Sequence, residues 1–222
     1  MSTIQPSDSA PPRVALTSEQ DARFLADLVL KHSTGESTFV ALLEQHEGTT
    51  RFANNQVVQN VNARRLSLSV TVAFGQQHGS ASTSDCSVGA VRDALRRAEA
   101  VARLSPPDPE YLPPVSAQTY VTVPTWRAET DQAGYAGRAE GVRAAIGLSR
   151  NAGMQAAGIV SSSSSVVALA ASTGLMAYES RTDARFSVTV TDGEATGWNA
   201  SAHRSIARLE IAARTRAAVE KA

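Results

Sequence analysis

The amino-acid sequence predicts an α+β fold, in which two similar helix–antiparallel sheet–helix units are joined by a Pro-rich linker. The clearest evidence is residues 65–74, where apolar and polar side chains alternate with period 2, as in a strand with one buried and one solvated face. A gap-free offset of 118 also places the segment 69–72 on 187–190. Six prolines lie between positions 105 and 124, which is typical of a linker.

The repeat extends beyond the strand. The offset of 118 aligns three pairs of glycines: Gly35 with Gly153, Gly75 with Gly193, and Gly79 with Gly197. The motif S-V-T-V-x-x-G-x-x-x-G therefore occurs twice, and a predicted helix follows it each time. Two unrelated hairpins that share common strand and turn residues are the alternative. We favour an internal duplication.

The first predicted unit covers residues 17–104 and follows a polar, Pro-rich stretch, residues 1–16, that predicts a disordered leader. Thr17 and Gln20 have the spacing of a capping box at the start of a helix. The apolar face of this helix carries Phe24, Leu25 and Leu28. We expect the helix to end at Gly35, since glycine readily adopts the left-handed conformation that closes many helices.

Strands and a second helix complete this unit. We predict a strand at 39–45, a turn at 46–49, and a hairpin over 51–60 that reverses at Asn54 and Asn55, because asparagine tolerates positive φ. In the strand at 66–74, Val70 and Val72 face the core under a helix that carries Leu95. Ser69 and Thr71 face away. The candidate caps of that helix are Ser84, Asp85 and Ser87.

The second predicted unit covers residues 132–222, after a linker at 105–131. Its helix spans 132–151 and is ended by Gly153. Strands are expected at 156–171, 175–182 and around 186–190. The serine run 161–165 is interpreted as an exposed strand or loop. The final helix carries Ile206, Leu209 and Ala213.

Composition excludes several classes of protein. Lys plus Arg and Asp plus Glu are both 21, so the net charge is zero, whereas a nucleic-acid-binding protein usually has a basic excess. The densest basic stretch, residues 204–221, has glutamates between its cations and is interpreted as a solvated helix face. No apolar stretch approaches the length of about 20 residues that spans a bilayer. Without a secretory pattern or a cysteine pair, we expect the cytoplasm and no membrane or nucleic-acid partner.

The sequence shows no complete catalytic or metal centre. The histidines are isolated from one another, at His32, His46, His78 and His203. His46-Glu47 lacks the second histidine that a zincin helix places one turn further on. Neither a G-x-S-x-G elbow nor a phosphate-binding glycine loop occurs. Cys86 is interpreted as a small residue at a helix cap, and Trp126 and Trp198 as packing residues. We therefore predict no catalytic residue, metal or cofactor on this chain.

One polar cluster remains a candidate binding site. Arg51, Asn54 and Asn55 place a cation and two amides around one tight turn. The amides have two possible roles: turn geometry, which we favour, and contact with a ligand. We take these three residues as candidate substrate-binding residues.

The same segment carries a family resemblance. Residues 51–60 read R-F-A-N-N-Q-V-V-Q-N, which resembles the R-x-A-N-N-x-V-x-Q-N stretch of the TldD/PmbA family. Residues 69–83 are similar to that family's S-V-x-V…G-x-A-S-T pattern. Residues 102–109 and the hairpin at 172–174 are similar as well. The resemblance covers residues 18–222, and its specific motifs lie in 51–109.

The resemblance implies an intracellular metallopeptidase that acts on small or unfolded peptides and often works as a pair of related subunits. In the active subunit a zinc site of H-E-x-x-x-H type lies in the C-terminal part, and the present sequence matches only the N-terminal and middle regions. Our first hypothesis is the N-terminal, non-catalytic part of such a peptidase, which binds peptide and forms the subunit interface. The second is a stand-alone or truncated interaction protein that pairs with a full-length family member. Members of this family were once called modulators of DNA gyrase, which suggests binding to DNA or gyrase as a third hypothesis. The net charge of zero gives that hypothesis no support.

Overall fold

A computed structural model describes residues 15–222, so the predicted leader lies almost entirely outside the described residues. The first half contains α1 (Glu19–His32), β1 (Ser37–Ala53), β2 (Gln56–Phe74), β3 (Gln77–Thr83) and α2 (Val88–Leu104). The second half contains α3 (Ala128–Asp131), α4 (Gly134–Asn151), β4 (Gln155–Ala171), β5 (Met176–Thr191), β6 (Thr196–His203), a 3-10 helix (Ile206–Arg208) and α5 (Ile211–Val219). No helix within residues 15–222 has both the length and the apolar character to cross a membrane.

The strands form one antiparallel sheet in the order β3-β2-β1-β4-β5-β6, and the α+β class is confirmed. Along β1, and along β2 from residue 59 to 74, side chains at even positions face the helices and those at odd positions face away. A β-bulge opposite Arg51 and Phe52 reverses this order at Gln56 and Val57. One core lies under α1 and α2 and contains Val70, Val72 and Leu95, as predicted. A second core lies under α4 and α5 and contains Phe186 and Leu209. The opposite face of the sheet carries no helix among these elements, and we call it the open face.

The internal repeat is visible in the strand register. Val72 pairs with Gly79 in the first half, and Val190 pairs with Gly197 at the same position in the second half. A Cβ at Gly79 would meet the backbone of α2, and a Cβ at Gly197 would meet the backbone of α5. Each glycine therefore allows a helix to approach its hairpin closely. Gly75 and Gly193 both have positive φ in the preceding turns, so these equivalences are confirmed.

The central strand pair relates the two halves to each other. His46 and Ser164 are 118 residues apart (164 − 46), and they are also partners across β1 and β4. Residues that correspond in the repeat therefore face each other at this point. It follows that the approximate two-fold axis between the halves passes close to this pair.

The third glycine pair does not share a role. Gly153 has a φ of 74° just after α4, as the left-handed closing residue of a helix does. In contrast, α1 ends at Ser33, and Gly35 lies against the side chain of Val72. The prediction that Gly35 ends the first helix is therefore wrong.

Several predicted boundaries need correction. The turn expected at 46–49 is absent, because β2 and β4 pair with β1 on both sides and hold it extended from Ser37 to Ala53. The strands predicted at 175–182 and 186–190 are one strand, β5. The serine run 161–165 lies in the central strand β4, where Ser162 and Ser164 are buried rather than exposed.

The helix ends also differ from the predictions. The cap of α1 is Ser18 with Asp21 instead of Thr17 with Gln20, and Phe24 is exposed, because Ala22, Ala26 and Val29 join Leu25 in the core. Ser87, one of the three predicted caps, accepts from the backbone N–H of Ala90 at the start of α2. The final helix is divided at Glu210, whose φ of 52° separates the 3-10 helix from α5.

Candidate functional site

The most accessible backbone in the sheet belongs to the first part of β2. β1 pairs with β2 along its whole length, whereas β3 pairs only with residues 68–74. Within the described residues, no strand covers the outer side of residues 56–67. We call this segment the free edge. Its outward N–H and C=O groups can pair with another extended chain.

Exposed valines lie along the free edge. Val57, Val58 and Val61 are 45%, 62% and 42% exposed. By contrast, the terminal strands β3 and β6 are short, and a basic side chain donates to one backbone carbonyl of each. Arg97 donates to the carbonyl of Ser82 at 3.0 Å, and Lys221 to that of Trp198 at 3.1 Å. Natural sheets protect their edges by short strands and charged side chains, and residues 56–63 of the free edge carry no charge, so this stretch remains open to pairing with another chain.

The tip of the β1–β2 hairpin is fixed to the second half of the chain. Asn54 and Asn55 have φ values of 50° and 58°, which fit a two-residue turn of type I′. The side-chain amide of Asn55 donates to the carbonyl of Met154 and accepts from the backbone N–H of Ala156, both at 2.9 Å. Arg150 donates to the backbone carbonyl of Asn55 at 2.9 Å. These contacts hold the hairpin in position.

The three predicted site residues lie close together in the chain, but their side chains do not converge. Arg51 projects from the open face, where its backbone neighbours across the sheet are Gln59 and Ile159. Its side chain is exposed and forms no ion pair among the described residues. Asn54 is exposed at the tip, while Asn55 uses its amide within the fold. Of the three, Arg51 has the clearest access to a ligand.

A buried arginine supports the free edge from the helix side. Arg138 of α4 is buried, and its partners among the described residues include the side chains of Thr50, Ser162, Asn60 and Asn62, to which it donates. The shortest of these bonds, to Oδ1 of Asn62, is 2.7 Å. Gly48 leaves the space that the guanidinium occupies. Because Asn60 and Asn62 belong to the free edge, Arg138 orders it.

Glu44 forms a second buried polar centre beneath the edge. Its carboxylate accepts from the N–H and hydroxyl of Thr17, both at 2.7 Å, from Nε of Arg64 at 2.8 Å, and from Nε2 of His46 at 3.1 Å. Burial raises the pKa of Glu44, but the hydrogen bonds from Thr17 and Arg64 outweigh burial and hold the pKa below its usual value. The ionised carboxylate therefore joins α1, β1 and β2.

Sequence reasoning missed both buried centres, although each left a signal. Glu44 is at an even position of the alternating strand, in line with Val40 and Leu42, which are core residues. Gly48 in the middle of a strand, opposite an asparagine-rich segment, indicates the close approach of a bulky group. Arg138 itself gave no signal, because it resembles the other surface cations of an alanine-rich helix.

The open face contains a broad groove of about 720 Å³ over β1, β4 and β5. Arg51, Ser161 and Ser163 line it, together with Asp183 and Arg185, which form an ion pair at 2.8 Å. Trp198 is exposed on the same face.

The cysteine Cys86 is half-buried near α2, and burial, followed by the charges of Glu44 and Asp85, raises its pKa. A raised pKa disfavours a reactive thiolate.

Titratable groups do not form a metal site in the described part of the chain. Two histidines contact carboxylates, His46 with Glu44 and His78 with Asp108, both at 3.1 Å. Across residues 15–222, however, no group of three or more His, Cys, Asp and Glu side chains is placed to hold a metal ion.

Comparison with known proteins identifies relatives of both halves. Residues 39–102 match the model described as PmbA/TldA metallopeptidase domain 1, and residues 129–222 match the PmbA/TldA metallopeptidase central domain. Together these matches cover well over half of the chain. Curated protein sequences give no match.

Solved structures share the fold. TldE from Thermococcus kodakarensis has a TM-score of 0.77 and 16% identity, over 91% of this chain and 46% of that chain. A protein described as a modulator of DNA gyrase from Thermotoga maritima MSB8 has a TM-score of 0.75 and 14% identity, over 91% and 47%. A similarly described protein from Bacteroides thetaiotaomicron VPI-5482 has a TM-score of 0.72 and 15% identity, over 91% and 48%. The chain thus spans about half the length of these structures.

Proposed function

Because the chain belongs to the TldD/PmbA family, we propose that it forms the N-terminal, non-catalytic part of a metallopeptidase of this type and binds extended peptide for it. In this proposal the zinc and the reacting groups are supplied by a C-terminal part of the TldD/PmbA type. The peptidase acts on small or unfolded peptides in the cytoplasm.

The observation that carries the proposal is the free edge, residues 56–67 of β2. An extended peptide that pairs there becomes an added strand, and its main chain supplies hydrogen bonds whatever its sequence. A peptidase for unfolded chains needs this tolerance. The exposed valines offer apolar contact for alternate side chains of the peptide.

The buried contacts behind the edge support the same proposal. Arg138 holds Asn60 and Asn62, and Glu44 holds Arg64, so four contacts fix the edge before a peptide arrives. Binding then requires less ordering of the protein, which favours affinity. Arg51 lies one strand inward on the open face and is proposed to contact a side chain or terminal carboxylate of the peptide.

We assign the subunit interface to the apolar end of the open face. Leu43 pairs with Val167 there, and Ala41 with Leu169. Leu43 is exposed, and the linker residues Tyr120 and Val121 present further exposed apolar side chains. A related family subunit is the proposed occupant, because an exposed apolar patch is typical of a protein–protein contact.

Peptide binding at the free edge can be tested with a fluorescent unfolded peptide and anisotropy. We expect a scrambled sequence to bind with similar affinity, since the main chain is recognised. A peptide with alternate backbone amides N-methylated should bind at least tenfold more weakly, because these amides can no longer donate. Equal binding of the methylated peptide would contradict strand addition.

A matched pair of variants locates the site. Val61→Lys adds a charged side chain to the free edge and should weaken binding, as edge lysines discourage pairing in natural sheets. Val101→Lys changes a valine of similar exposure, 46%, on α2 and should leave binding unchanged. If both variants bind peptide like the parent protein, the free edge is not the site.

A further inference from the structure

The linker between the two halves covers an edge of the sheet, on β5. The backbone N–H of Thr182 donates to the carbonyl of Thr125 at 3.1 Å, and the hydroxyl of Thr125 donates to the carbonyl of Ser180 at 2.8 Å. Both threonines are buried. The other side of β5 is paired with β4, so these two bonds belong to outward backbone groups of β5. A single linker residue therefore satisfies two outward groups of this edge.

Pro124 accounts for the use of a hydroxyl in this contact. The N–H of Thr125 donates within the linker, to the carbonyl of Val123 at 2.8 Å, and this bond closes a three-residue turn centred on Pro124. The proline ring fixes φ at about −65°, close to the value of about −75° that such a turn favours. Because the N–H is already used, the hydroxyl of Thr125 donates to the carbonyl of Ser180 instead. The contact with the edge thus depends on a proline followed by a hydroxyl residue.

The free edge is the counterpart of this stretch of β5 in the internal repeat. β2 pairs with β1 in the same register as β5 pairs with β4, so Arg64 corresponds to Thr182 and Asn62 to Ser180 at the offset of 118 (182 − 64 and 180 − 62). Backbone groups alternate between the two sides of an antiparallel strand, and an equal register therefore turns equal groups outward. It follows that the N–H of Arg64 and the carbonyl of Asn62 face out of the sheet.

The two edges differ in what covers them. Thr182 is 2% exposed beneath the linker, whereas Arg64 and Asn62 are exposed, and within residues 15–222 no strand pairs with the outer side of β2 at these positions. Their side chains have partners within the fold, since Arg64 donates to Glu44 and Asn62 accepts from Arg138. The free edge therefore offers its backbone here, which is the part that both edges have in common.

We propose that the free edge has a preferred ligand, a peptide segment in which proline is followed by threonine or serine. The hydroxyl of this residue donates to the carbonyl of Asn62, and its carbonyl accepts from the N–H of Arg64, as Thr125 does on β5. The inference rests on the proposed function, since it names the preferred class of peptide for the same edge. Peptides without this pair still bind through their main chain, and the pair adds affinity at one position.

A labelled peptide with the sequence of residues 121–127, Val-Thr-Val-Pro-Thr-Trp-Arg, is the probe for fluorescence anisotropy with the full chain. The Thr125→Val peptide keeps the shape and loses the hydroxyl, so it should bind about tenfold more weakly. The Thr125→Ser peptide keeps the hydroxyl and should bind within about twofold of the probe. In the Pro124→Ala peptide the turn is no longer restrained, and binding should weaken by about twofold to fivefold.

A matched pair of variants of the chain places the bound probe on the free edge. Arg64→Pro removes the outward N–H, while Arg64→Ala removes the same guanidinium and keeps the N–H. Proline is tolerated on an edge strand where its nitrogen faces solvent. Arg64→Pro should bind the probe about tenfold more weakly than Arg64→Ala does, with thermal unfolding measured for both. If Arg64→Pro does not fold, Val61→Lys on the same edge takes its place, with Val101→Lys as its control.

The outcomes separate this inference from the proposed function. If the probe and the Thr125→Val peptide bind alike, the preference for a hydroxyl residue is wrong, while peptide binding at the edge stands. If the probe binds equally to folded Arg64→Pro and Arg64→Ala, the contact with the N–H of Arg64 is wrong. If neither the probe nor any of its variants binds the full chain, both the inference and the proposed function are wrong.

Discussion

The guanidinium of Arg138 occupies the space directly beside Gly48 that the Cβ of any other residue would need. Gly48 belongs to β1 and Arg138 to α4, so the contact joins the first half of the chain to the second. The guanidinium is buried and bonded to Thr50, Asn60, Ser162 and Asn62. A shift of this group would break bonds on three strands at once.

We therefore expect Gly48→Ala to lower the free energy of unfolding by about 2–4 kcal/mol, since it displaces a buried, hydrogen-bonded charge. Gly147→Ala is the control. Gly147 lies in α4 with no atom within 4 Å of an added Cβ, so alanine should stabilise the protein by up to about 1 kcal/mol. Urea unfolding of both variants checks this, and a neutral Gly48→Ala would show that Arg138 moves without cost.

The buried carboxylate of Glu44 makes stability depend on pH. Its pKa is depressed in the folded protein, so its contribution is present above the unfolded value of about 4.3 and is lost as pH falls through the folded pKa. Glu44→Gln should lower stability by about 1–3 kcal/mol at neutral pH.

The difference between Glu44→Gln and the parent protein should shrink as the pH falls below about 4. Denaturant unfolding at several pH values measures it. Glu19→Gln, at an exposed ion pair with Arg23, is the matched control and should have little effect. A constant difference between Glu44→Gln and the parent protein at all pH values would contradict the role of Glu44.

The two faces of β2 should respond differently to a charge. Val70 is fully buried under α2, so Val70→Asp should cost several kcal/mol, a large share of a typical stability of about 5–15 kcal/mol. Thr71 lies on the open face, where its hydroxyl contacts that of Ser80 at 2.7 Å, and Thr71→Asp should cost no more than about 1 kcal/mol. Thermal unfolding compares them. If both substitutions lowered the stability equally, the open face would have to be covered as the helix face is.

The purified chain should neither hold stoichiometric zinc nor cleave peptides. Its histidines lie too far apart in sequence for a paired ligand motif, and a catalytic constellation needs a nucleophile or metal with a positioned base. Metal analysis after purification without chelator, and an assay on unfolded polypeptide with added zinc, measure both properties. One zinc per chain, or turnover that an active-site substitution in this chain abolishes, would contradict the prediction.

Local patterns predicted the fold well, while long-range contacts remained hidden. Alternation identified the buried face of β2 at Val70 and Val72, and the repeat located Gly79 and Gly197 at equivalent positions. The prediction of a turn at Gly48 is wrong. This glycine lies in a strand and leaves space for the guanidinium of Arg138, which is 90 residues away in sequence (138 − 48). The same limit applies to the candidate site: Arg51 was found from the hairpin motif, but the free edge depends on how far β3 extends along β2.

The pairing of β1 with β4 has a consequence for how the protein unfolds. Each of these strands is flanked on both sides, and each would become an unprotected edge if the halves separated. Arg138 and Asn55 add polar contacts across the same boundary. Neither half can therefore lose its structure without exposing the other, so we expect the duplicated units to unfold as a single cooperative unit despite the proline-rich segment between them.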